Sequence, residues 1–113
     1  MGRIILPPKL RSHSVYLFVS DDCKPCMDMM KHLYKMRDGI VRVIEVLDLS
    51  LWATSPEAAK RATKLAYEHN IRRVPTLVVV NHVLGIEEER IQGDKRIVQN
   101  IHRILKKYWE KIE

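Results

Sequence analysis

The chain has 113 residues, the size of one domain, and surface scaling lets such a domain bury roughly two-thirds of its unfolded area without metal or disulfide staples. A hydrophobic share of 46% with 30% charged residues excludes a disordered chain, and Gly 4 with Pro 5 exclude a collagen-like or linker-like one. Lys and Arg number 20 against 14 Asp and Glu, a net charge of +6 that raises the question of anionic partners.

Residues 1–14 read as a tail or short edge segment, because Pro7-Pro8 forbids regular structure and Lys9, Arg11 and His13 favour solvent. The apolar stretch Ile4-Ile5-Leu6 is too short for a signal peptide, and Leu6 stands where a myristoylation signal requires Ser or Thr. No apolar run approaches the ~18 residues of a membrane span. A soluble, cytoplasmic protein is expected. Residues 15–113 form the domain. Val15–Val19 is a β-branched and aromatic run typical of a buried strand. Ser20-Asp21-Asp22 then leads through Cys23-Lys24-Pro25-Cys26 into a helix marked by Cys26, Met29, Met30, Leu33 and Tyr34, which runs to about Arg37 and closes at Asp38-Gly39.

A second strand follows from Ile40 to Asp48. Ser55 caps the next helix, with Pro56 in its first turn and Ala58, Ala62, Leu65, Ala66 and His69 on its inner stripe. Asn70 suits a left-handed stop. Val74-Pro75-Thr76 opens a third strand to Val80, and Asn81-His82 turns into a fourth from Val83 to about Glu89, which pairs Val80 with Val83. Gly93-Asp94 starts the last helix, whose inner stripe is Ile97, Ile101, Ile104, Leu105, Tyr108 and Ile112. Strand–helix–strand at the start implies a parallel pair with a right-handed crossover. The fold class is therefore α/β, a four-stranded mixed sheet with three helices distributed over both faces.

The two cysteines carry the chemistry. Placed at random in this chain they would sit three apart only about 2% of the time, and they fall where a buried strand hands over to a helix. The free N–H groups and positive dipole end of that helix favour a thiolate at Cys23, and the thiolate is the nucleophile. Cys26, one turn on, faces back toward it. Pro25 rigidifies the turn without losing a hydrogen bond. Lys24 should lower the Cys23 pKa while Asp21 and Asp22 should raise it, so a moderately activated thiolate is expected, in a reducing or balanced protein more than a strong oxidant.

The order of elements, Cys23-Lys24-Pro25-Cys26 after the first strand, and Ile71-Arg72-Arg73-Val74-Pro75-Thr76-Leu77 before the third resemble the thioredoxin/glutaredoxin superfamily. The likeness spans about Val15 to Ile112. It implies a thioredoxin-like fold, a cis bond at Pro75 beside the active disulfide, and an extended substrate paired with the Val74 backbone, with Arg73, Val74, Pro75 and Thr76 as the substrate-binding segment. Departures accompany it. Asp22 stands where thioredoxins have Trp, Lys24 where they have Gly, and Leu17 where they hold a buried acid; the glutaredoxin Cys-Pro-Tyr-Cys and its glutathione segment are also missing.

The activity implied is thiol–disulfide exchange with Cys23 attacking and Cys26 resolving, no bound cofactor, and an external reductant. The expected partners are disulfide-bearing proteins and a reductase; glutathione is a further candidate, since Arg72 and Arg73 could receive carboxylates. Glutaredoxin-type resolution of glutathione mixed disulfides and a non-catalytic redox-sensitive interaction module are the alternatives. No metal is expected, because one Cys-x-x-Cys is half of a four-cysteine zinc site; a metal shared across a dimer or completed by His32 is the competing reading. Neither nucleic acid nor membrane is an expected partner, since no nucleic-acid recognition motif appears and no apolar run has the length of a membrane span. A monomer is expected. His13, His69, His82 and His102 read as surface or interface residues, Met27, Met29, Met30 and Met36 as helix packing with Met27 open to a partner surface, Trp52 as a loop anchor, and Trp109 as packing at the end of the last helix.

Overall fold

Every residue from Val15 to Val19 is buried, and this strand is the axis of the molecule. The computed structural model describes residues 12–36, 43–50 and 55–112. In chain order they form β1 (His13–Val19), α1 (Lys24–Lys35), β2 (Ile44–Asp48), α2 (Pro56–Glu68), β3 (Thr76–Asn81), β4 (Ile86–Gln92) and α3 (Asp94–Ile112). The sheet order is β2-β1-β3-β4, with β1 parallel to β2 and antiparallel to β3, and β3 antiparallel to β4. The expected ends of α1 at Arg37 to Gly39, the start of the second strand at residues 40–42, the tail of residues 1–11 and Trp52 lie outside the described residues.

Side chains alternate along β1, so it feeds two cores. Val15, Leu17 and Val19 meet Cys26, Met29, Met30 and Leu33 of α1 and the stripe Ile97, Ile101, Ile104, Leu105, Tyr108 and Ile112 of α3. Tyr16 and Phe18 meet Ala62 and Ala66 of α2 on the other face. Each fully buried large side chain is worth about 1.5–3 kcal/mol, and the larger cluster therefore dominates stability. Among the described residues no helix is long and apolar enough to cross a membrane.

Several expectations need correction. Strand β1 begins at His13, and His13 is buried, not solvated, because Ser12 Oγ (2.9 Å) and Glu88 Oε1 (2.9 Å) satisfy its two ring nitrogens and Tyr108 packs on it at 5.4 Å. His69 is likewise partly buried against Tyr16 and Phe18, whereas His82 and His102 are exposed. On α2 the inner stripe is Ala59, Ala62 and Ala66, with Ala58 exposed; small residues let the helix lie close to the two β1 aromatics. Ser55 takes the N-cap position but makes no side-chain cap bond.

The hairpin also differs. Asn81 Oδ1 accepts the N–H groups of Val83 (2.9 Å) and Leu84 (3.0 Å), so the turn takes residues 82–85 and Gly85 closes it at φ 65°. Val83 and Leu84 sit exposed at its tip, and Val80 pairs with Glu87 instead of Val83. Between Val79 and Val80 the register shifts, leaving Glu88 as an extra residue on β4. This bulge aims Glu88 and Glu89 together at Tyr108 of α3, while Glu87 and Arg90 reach the end of α2.

Candidate active site

The C-terminal end of β1 delivers the chain into α1 through a turn closed by the Cys23 N–H on the Ser20 carbonyl at 3.2 Å. Cys23 is the N-cap of α1, in extended backbone (φ −100°, ψ 104°), and Pro25 occupies the first turn where its missing N–H leaves nothing unpaired. The Cys26 N–H donates to Cys23 Sγ at 3.2 Å, so the sulfur fills the role that Ser or Asp oxygen usually plays at a helix start. Cys23 and Cys26 are joined as a disulfide with Cα atoms 5.2 Å apart. They are not equivalent. Cys26 is fully buried against the larger core, whereas Cys23 is partly exposed.

Asp21, Asp22, Lys24 and Pro25 form the exposed rim. The carboxylate of Asp22 is engaged by Ser20 Oγ, and no acidic residue lies in the first turn of α1. That leaves the helix dipole and the first-turn N–H groups to act on Cys23 from within the helix.

The loop before β3 closes the site from the other side. Val74–Pro75 is a cis bond, and the Val74 carbonyl oxygen lies 3.6 Å from Cys23 Sγ. Thr76 Oγ1 donates to the Arg73 carbonyl (2.6 Å), and the Gly93 N–H donates to the Pro75 carbonyl (3.0 Å). Thr76 is thus a buried brace of the loop, not a surface open to substrate. Val74 is half-buried, and Arg72 and Arg73 are exposed with no ion pair among the described residues. Of the residues singled out in the sequence, Cys23, Cys26 and Val74 converge, with Pro75 adjoining, while Arg73 joins only through its backbone. Leu17 is wholly buried in the apolar core, so that position offers no proton acceptor. Among the described residues no three His, Cys, Asp or Glu side chains cluster so as to hold a metal ion.

Sequence reasoning missed a second tier of residues. Arg90, Glu87 and His69 form a hydrogen-bonded group at the end of α2, five residues before Val74. Only the spacing of Glu87 and Arg90 is local; the His69 link spans 18 positions and leaves no periodic trace.

No protein-family model and no curated protein matches the chain. Solved structures do match in three dimensions. Thioredoxin from Aeropyrum pernix superposes with a TM-score of 0.61 at 15% identity, covering 93% of this chain and 86% of its own. Thioredoxin from Plasmodium falciparum gives 0.56 at 18% identity, with 88% and 73% covered. A DsbH oxidoreductase gives 0.56 at 16% identity, with 87% and 75% covered. The likeness establishes a thioredoxin-like fold.

Proposed function

We propose that the protein is a thiol–disulfide oxidoreductase working through the Cys23–Cys26 pair. The observation that carries this reading is the asymmetric pair at the start of α1: one sulfur partly exposed at the N-cap and facing the Val74 carbonyl, the other buried behind it. The thioredoxin-like fold supports it.

In the dithiol form, the Cys23 thiolate attacks one sulfur of a partner disulfide. A Cys23–partner S–S bond forms, the partner's own S–S bond breaks, and the departing thiolate takes a proton. Cys26, deprotonated, then attacks Cys23 Sγ, forming the intramolecular disulfide and releasing the second partner thiol. Two electrons pass to the partner, so an external dithiol or reductase must return two. No bound cofactor is required. The substrates are disulfide-bearing proteins that reach Cys23 along the Val74 backbone, and the exposed Arg72 and Arg73 favour acidic segments or the carboxylates of glutathione there.

Reduction of insulin disulfides by dithiothreitol tests the reading. Catalysis above the uncatalysed rate is expected from the wild type, none from Cys23→Ser, and a trapped mixed disulfide from Cys26→Ser. Full turnover in Cys23→Ser would refute it. Turnover surviving in Cys26→Ser only with glutathione mixed disulfides would replace it with the glutaredoxin-type reaction.

A further inference from the structure

The loop that places Val74 against Cys23 hangs between two anchors. Its β3 end is held by Thr76 Oγ1 on the Arg73 carbonyl and by the Gly93 N–H on the Pro75 carbonyl. Its other end is the terminus of α2, where Asn70 adopts φ 52° and the N–H groups of Asn70 and Ile71 return to the Tyr67 (3.1 Å) and Ala66 (2.8 Å) carbonyls. That closure leaves the carbonyls of His69 and Asn70 pointing onward without a helical partner. Arg90, on the edge strand β4, takes both: Nη2 donates to the His69 carbonyl and Nη1 to the Asn70 carbonyl at 3.4 Å.

The guanidinium is itself fixed. Glu87 accepts from Nε at 2.8 Å and from Nη2 at 2.7 Å, and its Oε1 also lies 3.2 Å from His69 Nδ1. The His69 ring packs on Tyr16 (5.9 Å between centroids) and Phe18 (6.5 Å) of β1. A planar fork that holds a carboxylate on one side and two backbone carbonyls on the other is a role lysine cannot fill. The Arg90 hydrogen bond also keeps the Glu87 carboxyl below its ordinary pKa, so the clasp stays charged through neutral pH. None of these three side chains touches the cysteines.

We propose that Arg90 is a positioning residue: by clasping the end of α2 it sets where the chain from Ile71 to Val74 enters the site, and so fixes the Val74 carbonyl opposite Cys23. The catalytic consequence rests on the function proposed above; the mechanical one does not.

Two measurements separate them. In the oxidised protein, amide hydrogen exchange is followed in the wild type and in Arg90→Ala. Exchange at Asn70 and Ile71, whose N–H groups close the end of α2 on the Tyr67 and Ala66 carbonyls, should accelerate about tenfold while β1 and α3 amides stay unchanged, as local opening without global loss requires. In the reduced protein, kcat and KM are measured for a peptide disulfide alongside the reaction with 5,5′-dithiobis(2-nitrobenzoate), a small disulfide that needs no backbone pairing. Arg90→Ala should raise KM for the peptide about three- to tenfold, leave the small disulfide within twofold, and recover when methylguanidinium is added. Unchanged loop exchange would overturn the proposal, as would equal losses on both substrates. If the wild type shows no Cys23-dependent turnover, the functional reading fails while the exchange experiment still decides the clasp.

Discussion

Cys23 and Cys26 differ by one helical turn, yet one is reachable and the other is core. The pairing at a helix start was legible in the sequence, because Cys-x-x-Cys spacing is a local property, as were the cis bond at Pro75 and the stop at Asn70, whereas the contrast in exposure comes from the packing of α1 on the larger core. His13 was not legible: its burial depends on Glu88 and Tyr108, 75 and 95 positions away, which only the closed sheet brings together. Two residue-scale outcomes follow. The Glu88 carboxyl is held down to about 2 from the ordinary 4.5, first by the His13 hydrogen bond and then by Asn81. Its folded pKa is depressed, so its stabilising effect is complete above about pH 4.5 and is lost as pH falls toward 2. Glu88→Gln should therefore flatten the acid limb of an unfolding-versus-pH curve in that window; an unaltered limb would assign the acid sensitivity elsewhere. At the site, Arg73→Glu should lower kcat/KM for acid-flanked peptide disulfides severalfold at low salt, with the difference shrinking at high salt. Equal kinetics at both salt concentrations would remove Arg73 from substrate choice.

Among the elements, α3 was read to the residue, since six buried positions at helical spacing leave one face to choose. The β3–β4 hairpin was misread for an equally physical reason. Val83 and Leu84 have strand-like character, but the Asn81 side chain captures their N–H groups and forces the turn onto them. A bulge cannot be read from alternation when three consecutive glutamates give no apolar mark, and here it decides which carboxylate faces which helix. The contrast is measurable by denaturant unfolding. Ile101→Ala, in the core, should cost about 2–5 kcal/mol. Leu84→Lys, at the exposed tip, should stay within about 0.5 kcal/mol. A large loss at Leu84 would mean that the tip is covered in solution.

At the scale of the whole molecule, β1 separates two polar regions. Its C-terminal end opens on the cysteines, and its N-terminal end on the group formed by His13, Asn81, Glu88 and Tyr108, roughly 20 Å away at ~3.3 Å per residue. Apolar layers lie between the disulfide and that distant group. The same layout explains the asymmetry of what could be read beforehand: apolar periodicity reports the layers, and a local cysteine motif reports the centre. The polar ties between elements, such as Arg90 to His69 and Arg61 to Glu45, have no periodic trace. The most direct test is a titration of the intact protein in dithiothreitol buffers of graded potential, read by alkylation and mass. A single reversible transition between none and two alkylated cysteines is expected, at about −200 to −270 mV, and a brief pulse of limiting alkylator on the reduced protein, mapped by peptide mass, should mark Cys23 before Cys26. The absence of a reversible couple, or Cys26 reacting first, would contradict a mechanism led by Cys23.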